Sequence, residues 1–219
     1  MRVVSNGSMT HLDKQFVLSI TDLQFGYPGR TLFTNYSAQT PAGLTLIRGG
    51  DGRGKTTLLR LIAGVLSPSA GNLVINGISA QSQPADYQTQ VFWVEPGAEA
   101  FDQLTALEFF TLQRQQHAHF NNLALAQLID GLDLSAHQHK SIFMLSTGTK
   151  RKVWLAAGLA SHAAVTLFDE PFAALDGLST SFLTTWLKKA GQTTSCAWIL
   201  ADYTAPIGVK LASVIDLGD

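Results

Sequence analysis

A glycine-rich loop between an apolar strand and a helix constrains this 219-residue chain more than any other feature. Residues 49–56 read GGDGRGKT, which fits the pattern GxxxxGK[ST]. The apolar residues 44–47 precede this loop, and helix-forming residues 55–65 follow it. Such a loop points its backbone N–H groups at phosphate oxygens, and the positive end of the following helix adds to the attraction. The order of elements therefore predicts an α/β fold with a phosphate-binding loop, or P-loop.

Each residue of this loop has an expected part in holding ATP. The ammonium group of Lys55 supplies positive charge to the β- and γ-phosphates, and the hydroxyl of Thr56 is a ligand for Mg²⁺. The glycines allow the backbone to fold closely around the phosphates. The other candidate nucleotide-binding residues here are Gly49, Gly50, Asp51, Gly52, Arg53, Gly54 and Thr57.

A second apolar strand, residues 165–168, runs directly into Asp169 and Glu170. Open parallel sheets bind ligands beyond the carboxyl ends of their strands. We expect Asp169 to hold Mg²⁺ through water and Glu170 to polarise the attacking water as a general base. An apolar strand that ends in Asp-Glu is a weak signal alone, but downstream of a P-loop it becomes strong.

The order of four motifs resembles the nucleotide-binding domain of the ABC transporter family. The P-loop is followed by LSTGT at residues 145–149, by the strand with DEP, and by ALD at residues 174–176. The resemblance covers residues 16–219. It implies that Ser146 and Gly148 belong to a signature motif whose helix contacts the γ-phosphate held by the opposite subunit. It also implies a partner, a second ABC ATPase subunit that is either identical or different.

Two residues have an expected role and a competing one. Tyr27 precedes the P-loop where the family places an aromatic ring that stacks on adenine, while Phe25 and a plain turn residue are the alternatives. Asp176 resembles an aspartate that the family uses across the dimer interface. It can equally be the N-cap of the helix expected at residues 178–189.

The chain departs from the family pattern at two positions that bear on hydrolysis. Where the family usually has a glutamine that contacts Mg²⁺ and water, this chain has Glu95, and the next glutamine is Gln103. The family's switch histidine is expected after the strand 197–201, but all six histidines precede Asp169 and Asp202 takes that place as a catalytic candidate. An ionised aspartate only accepts hydrogen bonds, so slow turnover is expected.

Length and periodicity predict a P-loop core with an inserted helical lobe. The core comprises residues 16–97 and 161–219, with a mainly parallel sheet and antiparallel N-terminal strands, and the lobe comprises residues 98–160. Thr105 and Glu108 have the spacing of a capping box, which predicts a helix start. Only 14% of the residues are charged, which favours a surface that meets a partner. The net charge of −1 argues against nucleic acid.

The expected function is that of a membrane-associated ATPase. No stretch approaches the roughly 18 apolar residues of a membrane span, and the single cysteine favours a reducing compartment. The resemblance implies a subunit on the cytoplasmic face of the cell membrane that drives transport through integral membrane permease subunits. The stretch LTALE at residues 104–108 is similar to compact ATPases of the haem-exporter, cytochrome c biogenesis type. Four aromatic residues are candidates for permease contact or for the core, namely Trp93, Phe101, Phe109 and Phe110.

Alternative functions remain open at this point. The main alternative is a degenerate module that binds ATP as a regulatory or structural clamp and hydrolyses little of it. Glu170 favours an enzyme, whereas Glu95 and Asp202 favour the clamp. An ABC ATPase of DNA repair or translation lacks support because the chain has no coiled-coil insertion or basic patch, and a P-loop kinase is disfavoured by the LSTG and DEP motifs.

Overall fold

A computed structural model describes residues 16–95, 97–190 and 195–218 of the chain. The strands are β1 Phe16–Tyr27, β2 Arg30–Pro41, β3 Gly43–Arg48, β4 Ala70–Ile75, β5 Ile78–Ser79, β6 Val91–Phe92, β7 Val165–Asp169, β8 Ala197–Ala201 and β9 Ser213–Asp216. The α-helices are α1 Lys55–Ile62, α2 Pro84–Thr89, α3 Ala106–Gln116, α4 Asn122–Gly131, α5 Thr147–Ser161 and α6 Gly177–Ala190. Short 3₁₀ turns occupy Ser135–His137 and Ile142–Met144.

An antiparallel sheet in the order β2-β1-β4-β5 confirms the expected antiparallel N-terminal strands. β2 pairs with β1 as far as Tyr27 opposite Arg30, so residues 28 and 29 form the turn of this hairpin. A second hairpin joins β4 to β5 at Asn76 and Gly77, and both residues have the positive φ that a two-residue Asn-Gly turn requires.

A five-stranded parallel sheet carries the site, in the order β6-β7-β8-β3-β9. Parallel strands bring their carboxyl ends to one edge, so the P-loop after β3 and Asp169 at the end of β7 face the same side. β8 lies between these two strands and ends at Ala201. The expected α/β architecture with a mainly parallel sheet is confirmed.

Helices dominate the segment between β6 and β7, as the periodicity predicts. The capping box at the start of α3 is confirmed, since the Thr105 backbone N–H donates to Glu108 Oε2 at 2.7 Å and the Glu108 N–H donates to Thr105 Oγ1 at 3.2 Å. The hydrogen bonds that Glu108 Oε2 accepts from the Thr105 backbone N–H and from the Thr105 hydroxyl lower the pKa of this carboxyl.

The hydrophobic core of this helical segment continues onto one face of the parallel sheet. In α5, a Cβ atom added at Gly158 would lie 2.7 Å from the Phe92 ring and 2.8 Å from the Phe168 ring, so helix and sheet are in direct contact. The division of the chain at residues 98 and 160 stays a prediction. Among the described residues, no helix combines the length and the apolar character needed to span a membrane.

Candidate functional site

The P-loop is folded around the ammonium group of its own lysine. Lys55 is only 8% exposed, and its Nζ donates to the carbonyl oxygens of Gly49 at 2.6 Å and Gly50 at 3.2 Å. Gly52 and Gly54 have φ angles of 70° and 99°, and Gly54 immediately precedes α1. These left-handed conformations strain any residue with a Cβ atom, which explains the glycines at both positions.

Thr56 and Asp169 meet across the sheet edge, although 113 positions separate them in the sequence. The Thr56 hydroxyl donates to Asp169 Oδ2 at 2.6 Å. Burial raises the pKa of the Asp169 carboxyl, while the hydrogen bond from Thr56 and the nearby Arg151 and Lys55 act in the opposite direction. Oxygen donors are the ligands that Mg²⁺ prefers, and a cation relieves a buried carboxylate. This pair therefore fits Mg²⁺.

Glu170 is held in a left-handed backbone conformation, with φ 46°, next to Asp169. Its backbone N–H donates to the Ala201 carbonyl at 2.8 Å, and its own carbonyl accepts a hydrogen bond from the Arg151 guanidinium. Both bonds fix the main chain and leave the carboxylate free to line a pocket of about 280 Å³ at the mouth of the P-loop. The pocket brings Glu170 together with residues 51–57, Tyr27 and Tyr203.

Of the two aromatic candidates for adenine contact, Tyr27 lines this pocket. Its side chain is 41% exposed, and its hydroxyl lies 3.4 Å from Thr57 Oγ1. Phe25 instead packs edge-on against the Tyr27 ring, with 5.2 Å between ring centroids, and against the core. The position of Tyr27 is compatible with base stacking, and its role stays a prediction.

The signature segment lies at the N-terminus of α5, outside the pocket. Ser146 is the N-cap of this helix: its exposed hydroxyl accepts from the Thr149 N–H at 3.2 Å and lies 2.9 Å from Thr149 Oγ1. Gly148 packs so closely that an added Cβ would lie 2.5 Å from the carbonyl oxygen of Ala174. The signature segment and the ALD segment are therefore in close contact.

Asp176 has the helix-capping role that the sequence left open. Its Oδ1 accepts from the Ser179 N–H at 2.8 Å at the start of α6, and its Oδ2 accepts from Lys152 Nζ at 2.6 Å. The hydrogen bond from Lys152 and those from Ser179 lower the pKa of this carboxyl. Lys152 belongs to α5, so Asp176 also ties the two helices together.

The structure places Glu95 in contact with a cation of the protein itself. Its carboxylate forms an ion pair with the Arg60 guanidinium of α1. Burial alone would lower the pKa of Arg60, but the hydrogen bond and charge of Glu95 raise it. Gln103, the other candidate for this place, is exposed just before α3. The role of Glu95 as a metal ligand stays a prediction, in competition with this ion pair.

Asp202 lies beyond the end of β8, and its neighbour is the residue that reaches the pocket. The Asp202 N–H donates to the Ile47 carbonyl at 3.0 Å, and its carboxylate accepts from the backbone N–H of Tyr203 at 2.7 Å. Among the described residues, Tyr203 lines the pocket and Asp202 does not. Sequence analysis did not select Tyr203, although this residue directly follows Asp202 and its aromatic hydroxyl can donate a hydrogen bond.

Comparison with known proteins identifies the family of this chain. Residues 34–173 match the ABC transporter family. The cytochrome c biogenesis ATP-binding export protein CcmA of Pseudomonas savastanoi is 34% identical over 160 residues, which cover 73% of this chain and 75% of that protein. The taurine import ATP-binding protein TauB of Yersinia pestis is 31% identical over 164 residues, 74% of this chain and 64% of that protein.

Solved structures share the fold. An ATP-binding subunit of an ABC transporter superposes with a TM-score of 0.76 at 22% identity, covering 84% of this chain and 79% of that one. A protein from Pyrococcus furiosus described as a putative ABC transporter ATP-binding protein superposes with a TM-score of 0.72 at 20% identity, covering 91% and 96%. With the family match and the relatives above, the chain belongs to the ABC transporter family as an ATP-binding subunit.

Proposed function

We propose that this chain hydrolyses Mg-ATP and thereby drives transport through separate membrane subunits. The observation that carries the proposal is the bond from Thr56 to Asp169 at 2.6 Å, beside a buried Lys55 and a pocket lined by Glu170. Bound Mg²⁺ neutralises charge on the β- and γ-phosphates. Lys55 Nζ would exchange its two carbonyl partners for phosphate oxygens, Thr56 would supply an oxygen ligand to the metal, and Asp169 would hold the metal through water.

Glu170 is the proposed general base. Its main chain is fixed by Ala201 and Arg151, which places the side chain at the pocket, where the carboxylate would accept a proton from water. A base in reach of its proton contributes roughly 10²–10⁴-fold to a rate. Its strained backbone conformation, with φ 46°, is the kind of feature that concentrates at catalytic sites.

We propose further that two ATPase subunits complete each other's sites. In one chain, the signature segment lies outside the pocket that contains Lys55 and Glu170. Ser146 is exposed at the N-terminus of a 15-residue helix, where backbone N–H groups and the helix dipole favour an anion. A second subunit, identical or different, brings such a signature helix to the phosphates.

We also propose that the chain lies on the cytoplasmic face of the cell membrane and contacts integral membrane permease subunits there. The family and the names of the export and import relatives support it. The four aromatic candidates for this contact are mainly core residues, since Phe109 and Phe110 are fully buried and Trp93 and Phe101 partly so. Phe143 and Met144, which are 55% and 64% exposed, offer apolar surface ahead of the signature segment.

The alternative of an ATP clamp with little hydrolysis has one specific observation in its favour. Glu95 forms an ion pair with Arg60 through Oε1, so the charge of the guanidinium competes with a metal ion for this carboxylate. The clamp and the enzyme share the same binding site and differ in whether Glu170 acts as a base.

Glu170→Gln separates the two functions. If Glu170 is the base, the variant retains Mg-ATP binding by calorimetry and loses phosphate release by about 10²-fold or more. Glu99→Gln removes the same charge from an exposed position away from the pocket and serves as the control. The wild-type chain is a clamp if it binds ATP but releases phosphate no faster than Glu170→Gln, both alone and with its membrane subunits.

A further inference from the structure

Tyr203 closes over the P-loop lysine from the end of β8. Its ring centroid lies 4.2 Å from Lys55 Nζ, within the range of a cation–π contact, and its hydroxyl donates a hydrogen bond to Asp51 Oδ1. The side chain is nonetheless 51% exposed, so core packing does not hold it there. Two polar contacts with the P-loop hold this side chain at the mouth of the site.

The ring lies next to the place where the terminal phosphates are expected to bind. Lys55 Nζ is the group that contacts the β- and γ-phosphates in a loop of this type, and Tyr203 lies against that atom. The bond from the Asp202 N–H to the Ile47 carbonyl anchors the segment to β3, the strand that leads into the P-loop. Tyr203 therefore stays beside the phosphates when a nucleotide enters.

The chemistry of the phenol suits a polyanion better than that of the neighbouring carboxylate. The hydrogen bond to Asp51, together with the negative charges of Asp51 and Glu170, raises the pKa of the Tyr203 hydroxyl above its usual value. The hydroxyl therefore keeps its proton at neutral pH and can donate. The Asp202 carboxylate can only accept, and it already accepts from the Tyr203 backbone.

We propose that Tyr203 is the γ-phosphate-sensing residue of this site: on nucleotide binding its hydroxyl leaves Asp51 and donates to a γ-phosphate oxygen. The inference rests on the proposed nucleotide site and assigns the switch function to Tyr203 instead of Asp202. No covalent bond changes in this step, because one acceptor replaces another. ADP has no γ-phosphate, so Tyr203 gives the chain a preference for ATP over ADP.

The test compares Mg-ATP and Mg-ADP affinities of the wild type and Tyr203→Phe by calorimetry. The phenylalanine ring keeps the contact with Lys55 and removes only the donor. Because a hydrogen bond to a charged group is lost, we expect the ATP-over-ADP preference to fall by roughly tenfold or more, with ADP affinity not reduced. Phosphate release should fall as well, by about 10²-fold for a lost transition-state donor.

Thr204→Ala is the matched control, because it removes an exposed hydroxyl from the next residue. It should keep the wild-type preference. If Tyr203→Phe binds both nucleotides more tightly by the same factor, Tyr203 only obstructs access to Lys55 and the sensing role is wrong. A wild type without preference for ATP also overturns it. A wild type that binds neither nucleotide overturns the proposed function itself, which separates the two failures.

Discussion

Two glycines in the first turns of neighbouring helices give opposite predictions for the same substitution. Gly148 is the second residue of α5 and Gly177 is the first residue of α6. A Cβ atom at Gly148 would lie 2.5 Å from the Ala174 carbonyl oxygen, whereas a Cβ atom at Gly177 would have no neighbour within 4 Å in the part of the chain that the structure describes. Neither glycine has a positive φ, so local backbone conformation does not decide the outcome.

The expected free-energy changes follow from these distances. The contact at Gly148 is roughly 1 Å shorter than the ~3.5 Å at which such atoms pack, and its partner is backbone that cannot rotate away. Overpacking costs about 1–3 kcal/mol, and the better helix propensity of alanine offsets about 1 kcal/mol of that. Gly148→Ala should therefore lose about 1 kcal/mol, while Gly177→Ala should gain about 0.4–1 kcal/mol from the less flexible unfolded chain.

Thermal and urea unfolding of the two variants, without nucleotide, measure this difference. For a chain of this size 1 kcal/mol corresponds to about 2–4 °C, so the melting temperatures should move in opposite directions. Phosphate release should fall only in Gly148→Ala, because the segment of residues 174–176 has to shift away from the signature helix. The reasoning is refuted if Gly148→Ala is as stable as Gly177→Ala.

Two further predictions concern the phosphate and metal ligands. Lys55→Ala should abolish ATP binding by calorimetry, since the buried Nζ is the loop's inward cation; unchanged affinity would rule out the P-loop assignment. Asp169→Asn should stop Mg²⁺-dependent hydrolysis yet stabilise the metal-free chain. Burial raises the pKa of Asp169 in the folded chain above its value in the unfolded chain. The contribution of Asp169 to folding stability is therefore present below the pKa of the unfolded chain and disappears as the pH rises through the pKa of the folded chain. Melting curves in EDTA from acid to neutral pH should therefore diverge, with the variant higher at neutral pH.

The parts of the site that the sequence predicted are those that depend on local order. Strand, glycine loop and helix are contiguous, so residues 49–56 could be recognised without tertiary information. The carboxylates after β7 followed from the rule that parallel strands end at one edge. The capping box at Thr105 likewise needed only a spacing of three residues.

The parts that the sequence did not predict depend on contacts across the fold. The pair of Glu95 with Arg60 joins residues 35 positions apart and depends on how α1 packs against β7 and β8 of the parallel sheet. The choice between Asp202 and Tyr203 depends on a difference of one position just after β8, which ends at Ala201. Beyond the end of a strand, the alternation of side-chain directions no longer predicts which residue faces the site. The full burial of Phe109 and Phe110 comes from the core of the helical segment, where α3 contacts α5 and the Phe109 ring lies 4.6 Å from the Trp154 ring. Periodicity alone did not separate this buried face from an exposed one.

The polar groups of the site already have internal partners before a nucleotide arrives. Lys55 donates to Gly49 and Gly50, and Tyr203 donates to Asp51. Phosphate binding therefore exchanges hydrogen bonds, and each exchange contributes only the difference between a neutral or carboxylate acceptor and a phosphate. Because the carbonyl partners of Lys55 are neutral, that exchange favours the nucleotide. The terminal phosphate carries more negative charge than the carboxylate partner of Tyr203, so the exchange at Tyr203 also favours ATP, by less than the exchange at Lys55.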